Sequence, residues 1–157
     1  MEIKKLNRDE IKERFDIEFN DDTYRLAFRK VMKTIYGDNS VAADLILEEL
    51  LVKWDNFVND LKEGYDMSVY EFDNDMDSHR GPIEYLISSR DLENFKEHKG
   101  LKLIVDKIDE KFKELTIEVN DLSNRDRWWS RRILLKADDE YFDTLDFDLT
   151  PYNIVRT

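Results

Sequence analysis

The sequence predicts a single, predominantly helical α+β domain with a small antiparallel sheet. The chain has 157 residues, a length that suits one domain. Its four Gly and two Pro leave few sites for the tight turns of an all-β fold. Several long segments also carry apolar residues three and four apart, as amphipathic helices do. We expect a helical part over 1–63, mixed helix and strand over 65–150, and a short C-terminal tail over 151–157.

Two helices are expected near the start of the chain. A spacing typical of a capping box indicates a short first helix over 8–16. Asp21 or Asp22 can cap a second helix, whose apolar residues recur four, three and four apart and which should stop at Gly37.

The segment 40–63 has the most regular helical pattern. Because each residue advances a helix by about 100°, Asp44, Glu48 and Asp55 fall together on one side. One face of this helix should therefore pack while another displays acid. The apolar face alternates four and three apart like a heptad seam, through Ala43, Leu47, Leu50, Trp54, Phe57 and Leu61.

The small sheet is expected from three later segments. The segment 66–72 is rich in aromatic and β-branched residues and alternates with polar neighbours, which favours a strand. It should be followed by a loop over 73–81. The segments 115–120 and 129–136 supply the other two strands.

Four further helices are predicted between and after these strands. A short one begins at Pro82, a second ends near Gly100, a third covers 101–115 and a fourth covers 138–145. The predicted core residues are Phe28, Val31, Ile35, Leu47, Leu50, Trp54, Phe57, Leu61, Ile104, Ile108 and Phe112.

Acid is concentrated in parts of the chain. The net charge is −12, and residues 38–80 alone carry twelve acidic and three basic residues, a net charge of −9. Residues 138–148 carry six acidic residues and no basic one. Such blocks create a field that steers a partner of opposite charge. The predicted partner-binding residues are Asp44, Glu48, Asp55, Asp66, Tyr70, Phe72, Asp73, Asp75, Asp77, Asp138, Asp139, Glu140, Tyr141 and Asp143.

The sequence predicts neither a catalytic residue nor a cofactor. The chain has no Cys, so it has no thiolate nucleophile and no Cys-based zinc site. It also lacks the glycine-rich phosphate-binding motifs, and neither of its two histidines stands in a recognisable nucleophile setting. We therefore expect a protein that binds rather than one that catalyses.

One candidate metal site would instead indicate a catalytic protein. Ser78 replaces the sixth-position Gly of a calcium loop, and Arg80 replaces its apolar eighth residue. The expectation is a solvated acidic turn, with a metal-dependent enzyme as the alternative. The carboxylates at positions 1, 3, 5 and 12 of the loop are Asp73, Asp75, Asp77 and Glu84.

A basic segment, RDRWWSRR over 125–132, combines aromatic rings with guanidinium groups. This combination binds phosphates and stacks on unpaired bases. Direct nucleic-acid binding is nevertheless not the leading expectation, because most of a protein with a net charge of −12 repels a phosphate backbone. The candidate nucleic-acid contacts are Arg127, Trp128, Arg131 and Arg132.

These observations favour a non-enzymatic inhibitor that occupies the basic surface of a nucleic-acid-processing enzyme. In size, acidity, lack of Cys and richness in Lys, Asp, Asn and Ile, with EFDNDMDSHRGP and KADDEYFDTLDFD as its acidic stretches, the chain resembles anti-CRISPR proteins encoded by phages and plasmids. The resemblance implies inhibition of an RNA-guided DNA nuclease and assigns no individual residue.

Two alternatives remain open at this point. An immunity protein that neutralises a nuclease toxin would have the same charge and size. A scaffolding protein would oligomerise through the heptad-like seam of 40–63. The start MEIKKLNRDE lacks the apolar core of a signal peptide, and no apolar run is long enough to span a membrane, so we expect a cytoplasmic protein without membrane contact.

Overall fold

The computed structural model describes residues 8–15, 19, 21–40, 43 and 46–157, with the side chains of 8–11 left out. It shows the predicted fold class, a predominantly helical α+β domain. Over these residues the helices are α1 (Arg8–Phe15), α2 (Asp22–Tyr36), α3 (Leu47–Leu61), α4 (Val69–Ile87), α5 (Lys96–Glu114) and α6 (Asp139–Asp143).

The second helix begins and ends as its sequence predicts. The side chain of Asp21 accepts hydrogen bonds from the backbone N–H groups of Thr23 and Tyr24, which satisfies two free donors of the first turn. Gly37 ends the helix with a φ of 81°, a conformation that side chains other than Gly rarely adopt. α3 is shorter than the predicted 40–63.

Helix α4 replaces a predicted strand over 66–72, a loop over 73–81 and a separate helix from Pro82, and these three predictions are wrong. Ser68 and Glu71 form a complete capping box at its start. One row of buried side chains then continues through all 19 residues. Arg80, a charged residue in that row, and the Gly81–Pro82 pair concealed the helix over 73–87, whereas the aromatic and β-branched residues of 66–72 suggested a strand.

Helix α5 also merges two predicted elements. It begins at Lys96 and passes through Gly100, where we expected one helix to end before another began at 101. Its buried side chains recur three and four apart on one face, and they are His98, Leu101, Ile104, Val105, Ile108, Asp109 and Phe112. Packing of this face against α3 and α4 offsets the cost of an interior Gly.

The sheets in the described part of the chain are small. β1 (Thr116–Glu118) pairs with β2 (Arg132–Leu134) in antiparallel register, so two of the three predicted strand segments are confirmed in shortened form. The 129–131 part of the third segment belongs instead to a 3-10 turn, Trp128–Arg131. β3 (Lys136–Ala137) pairs in parallel with β4 (Val155–Arg156), which orders the predicted tail.

The apolar core lies between α2, α3, α4 and α5. Eight of the predicted core residues are buried, namely Phe28, Leu47, Leu50, Trp54, Leu61, Ile104, Ile108 and Phe112. Val31 and Phe57 are partly buried and pack against them, whereas Ile35 lies half-buried at the edge of α2. No helix within the described ranges is long and apolar enough to cross a bilayer.

Candidate protein-binding surface

Helix α6 lies against the first turn of α4. The backbone N–H of Val69 donates a 2.8 Å hydrogen bond to Oγ1 of Thr144, the residue at which α6 ends. One turn away, the backbone N–H of Asp138 donates to the carbonyl oxygen of Tyr65 at 2.9 Å. These two contacts bring the acidic segments 66–77 and 138–148 together.

The exposed residues around this junction form what we call the acidic surface: Asp66, Tyr70, Glu71, Asp139, Glu140, Asp143, Asp146 and Asp148. Arg156 reduces its charge by donating hydrogen bonds of 2.8 and 3.0 Å to Asp139 and Asp143. Asp66, Glu140 and Asp146 have no basic partner among the described residues. The surface therefore keeps a negative charge after its own ion pairs are counted.

Tyr70 supplies an aromatic side chain within the acidic surface. It is 74% exposed, the largest exposed fraction among the large hydrophobic side chains of the described residues. A Tyr of this kind offers apolar area and a hydroxyl at low cost in side-chain entropy, which suits it to anchor an interface. Tyr70 is therefore accessible to a partner, and its role as a contact residue stays a prediction.

The other two predicted aromatic contacts are wrong. Phe72 is 1% exposed and Tyr141 is fully buried, and their rings pack edge to face at 5.4 Å. The Tyr141 hydroxyl accepts a hydrogen bond from the backbone N–H of Leu134, and burial raises its pKa. Both residues join α4 and α6 from the inside, so they cannot present their rings to a partner.

The acid predicted to line the outside of α3 is instead buried. Glu48 is 1% exposed and forms an ion pair with Arg25 of α2. Asp55 is 4% exposed and pairs with Arg14 and Lys111. Cations from other elements compensate these two charges, so the prediction of a displayed acidic face is wrong for both. The third predicted residue, at position 44, lies outside the described residues.

The central acids of α4 bind groups of this chain. Asp73 accepts a hydrogen bond from Arg125, Asp75 from the Tyr65 hydroxyl, and Asp77 from the indole N–H of Trp129, at distances of 2.9, 2.9 and 3.2 Å. Burial raises the pKa of Asp73 above its usual range, and its pairing with Arg125 opposes that rise.

The spacing of a calcium loop does not produce a cation cage. The residues 73–84 are helical, so their carboxylates are spread along about three turns of the helix instead of converging on one point as a loop would allow. Glu84 pairs with Arg80 at 3.0 Å in the same helix. In the described part of the chain, no group of three or more potential metal ligands is close enough to hold an ion.

All four candidate nucleic-acid contacts make bonds or ring contacts within the fold. Arg131 donates to the carbonyl oxygen of Arg125 at 2.6 Å, and Arg132 donates to Oγ1 of Thr116 at 2.8 Å. Trp128 packs against Phe112 and carries a Lys above its ring. The guanidinium of Arg127 lies over the partly exposed ring of Tyr85 and the buried ring of Trp129.

A buried ionic network was missed entirely. Arg80 is 1% exposed in the core and donates two 2.9 Å hydrogen bonds to Asp109 of α5. Its guanidinium also lies 5.0 Å from the centre of the Trp129 ring. The one signal in the sequence is that Arg80 stands at core spacing from Met76 and Ile83 on α4.

No protein-family model, curated protein or solved structure matches this chain. We therefore infer its function from the chemistry of its surfaces.

Proposed function

We propose that the protein is a non-enzymatic cytoplasmic inhibitor that binds the basic surface of a nucleic-acid-processing enzyme, with an RNA-guided DNA nuclease as the first candidate. The observation that supports this proposal is the junction of α4 and α6, which joins two acidic segments next to the exposed Tyr70. Carboxylates held on helices would take the place of the phosphates that such an enzyme binds.

The charge of the acidic surface sets the size of the site it can occupy. Its seven acids less the charge of Arg156 leave six negative charges. Duplex DNA carries one charge per about 1.7 Å of axis, so six charges correspond to about 10 Å of duplex. The inhibitor would cover one part of a nucleic-acid channel and would depend on an apolar anchor for the rest of its affinity.

The alternative of scaffolding through the heptad-like seam has less support, because the described residues of that seam are buried or partly buried within this chain. The alternative of an immunity protein uses the same acidic surface. Inhibition assays on a panel of RNA-guided DNA nucleases and nuclease toxins separate the two. Inhibition confined to a toxin assigns the immunity role, and inhibition of no panel member contradicts the proposal.

A charge-neutralising variant tests the acidic surface on any inhibited enzyme. The variant Asp66→Asn/Glu140→Gln/Asp146→Asn removes three exposed charges that make no ion pair among the described residues. We expect association to slow about tenfold at low salt, and the difference from the unmodified protein to shrink as salt rises.

The matched control removes three exposed charges elsewhere, in Asp91→Asn/Glu93→Gln/Asp106→Asn. It should slow association much less, because its carboxylates lie in the 88–95 connection and on α5. Equal effects of the two triple variants would show that net charge alone matters and would contradict a localised surface.

Tyr70→Ala tests the anchor separately. Truncation of a central aromatic residue at an interface costs about 2 kcal/mol or more, so affinity should fall at least about 30-fold, mostly through faster dissociation. Leu103→Ala on α5 is a control for loss of an exposed apolar side chain outside the acidic surface.

A further inference from the structure

A groove of about 570 Å³ runs along α4, on the side that faces the segment 124–130. Residues four apart on a helix form a straight row, so the α4 wall is continuous. The groove begins at Asp73, one turn from Tyr70 of the acidic surface. Its α4 wall consists of Asp73, Asp77, Gly81 and Tyr85, and Tyr36 contributes from the end of α2.

The walls of the groove combine carboxylates and aromatic rings with two arginines, Arg127 and Arg125, of which Arg125 pairs with Asp73 at 2.9 Å. Asp77 is exposed, and its Oδ1 accepts the Trp129 indole N–H while Oδ2 makes no bond among the described residues. The Asp126 side chain is exposed and has no basic partner in the described part of the chain. Tyr85 is 46% exposed and presents part of its ring. Carboxylates beside open rings suit a cation.

Arg127 already places a guanidinium in this groove. Its Cζ lies 5.4 Å from the centre of the Tyr85 ring and 5.5 Å from that of Trp129. Its one hydrogen bond, to the Tyr85 hydroxyl, is long at 3.4 Å, and no carboxylate among the described residues pairs with it. The groove thus accommodates a guanidinium between two rings, held by contacts weaker than a bidentate ion pair.

We propose that the groove receives an arginine side chain of the basic partner, which stacks on Tyr85, pairs with Asp77 and displaces Arg127. This inference rests on the proposed function, because it names the chemistry by which the partner is recognised. The groove lies beside the acidic surface on one helix, so a single partner can contact both.

Arginine fits this groove better than lysine or a nucleotide does. A guanidinium is planar, stacks on aromatic faces and binds a carboxylate through two parallel N–H groups, whereas an ammonium is a point charge with a strong hydration shell. A nucleotide would stack as well, but its phosphate would face Asp77 and Asp126. Three acids line the groove against two arginines, so its net negative charge favours a cation.

Peptide titration followed by NMR tests the groove without a nuclease. The probes are hexa-arginine, hexa-lysine and AMP, and the signal is the indole N–H of Trp129, which lines the groove. The indole N–H of Trp54 is an internal control because it is bound to buried Asp109. Hexa-arginine should shift the Trp129 resonance, leave that of Trp54 unchanged, and bind at least fivefold more tightly than hexa-lysine.

Variants test separately whether the incoming arginine displaces Arg127. Asp77→Asn keeps an acceptor for the indole but removes the charge, and it should weaken hexa-arginine binding at least fivefold, as should Tyr85→Leu. Arg127→Ala should strengthen binding at least threefold, because the internal competitor is gone. Arg29→Ala, which removes an exposed charge on α2, controls for net charge and should strengthen binding less.

Several results would overturn the inference: an unmoved Trp129 resonance, equal binding of hexa-lysine, tighter binding of AMP, or equal effects of Arg127→Ala and Arg29→Ala. Hexa-arginine binding together with failure to inhibit any nuclease would contradict the proposed function and leave the arginine site standing. Nuclease inhibition that is unchanged in Tyr85→Leu and Asp77→Asn would contradict the arginine site alone.

Discussion

The indole Nε1 of Trp54 donates a 3.0 Å hydrogen bond to Oδ1 of Asp109, the carboxylate that also receives the guanidinium of Arg80. One buried side chain of α5 therefore joins α3 and α4. A charge in the core is tolerated only when it is paired and its remaining hydrogen-bonding positions are satisfied. Among the described residues, every buried side-chain polar atom has a partner.

Asp109→Asn should destabilise the fold by about 3 kcal/mol, because it removes the buried carboxylate that pairs with the Arg80 guanidinium and leaves only the more exposed Glu84 to compensate that charge. Urea denaturation measures this loss as a lower midpoint at an unchanged slope. Asp106→Asn is the matched control on the exposed side of the same helix and should change stability by less than about 0.5 kcal/mol. A loss below about 1 kcal/mol in Asp109→Asn would show that the pair contributes little.

Trp54 should contribute to the stability of the fold in two separable ways, through its packing and through its hydrogen bond. Trp54→Ala removes a fully buried ring and should cost about 3–5 kcal/mol. Trp54→Phe keeps most of the apolar contact but leaves Asp109 without the indole donor, so we expect a cost of about 1–3 kcal/mol. Thermal or urea unfolding compares the two variants. Equal losses would indicate that the hydrogen bond, and not the packing, carries the whole effect.

His98 should make stability depend on pH. It is 1% exposed, its ring nitrogens lie near the Tyr24 hydroxyl and the Ile87 carbonyl oxygen, and burial lowers its pKa from the usual 6.5. Below pH 6.5 the unfolded chain therefore binds a proton that the folded protein does not yet bind, and stability falls as pH falls toward the folded pKa.

The expected slope is at most about 1.4 kcal/mol per pH unit for one proton. Unfolding of the unmodified protein and of His98→Gln between pH 7.5 and 5.5 isolates this contribution, because the other titrating groups are common to both. The free energy of unfolding should fall more steeply in the unmodified protein. Parallel curves would contradict a lowered His98 pKa.

Ser68→Ala should cost about 1 kcal/mol, because it removes the side chain that caps α4 and breaks its capping box with Glu71. Ser78→Ala is a control within the same helix. Ser78 is exposed and its hydroxyl bonds only to the carbonyl oxygen of Asn74, so its replacement should be neutral or slightly stabilising. Similar losses in both variants would contradict a role for the cap.

The helices with a clean apolar period were predictable, and α4 was not. Its buried row contains Arg80, and its interior contains Gly81 followed by Pro82, a pair typical of turns. The side chain that makes Arg80 a core residue is Asp109, 29 residues away on another helix. A local pattern cannot show a charge that is compensated by tertiary contact, so the sequence indicated a strand and a loop.

Compensation of charge by tertiary contacts also determined which acidic residues could be predicted to be exposed and which could not. The segment 138–148 has no basic residue, and most of its acids are exposed. Glu48 and Asp55 stand at equally regular helical positions, but they are buried, and cations from other elements compensate their charges. The groove along α4 was missed because the helix itself was missed, although Asp73, Asp77, Gly81 and Tyr85 have the four-residue spacing of one helix face.

Because Tyr70 and Tyr85 stand on one continuous helix, α4 fixes the distance between the acidic surface and the groove. Their Cα atoms are fifteen residues apart, which corresponds to about 22 Å at 1.5 Å per residue. A partner that engages both must therefore present a hydrophobic docking pocket within a basic patch and, about 22 Å away, a projecting arginine. That separation is a geometric filter with which the surfaces of candidate nucleases can be screened.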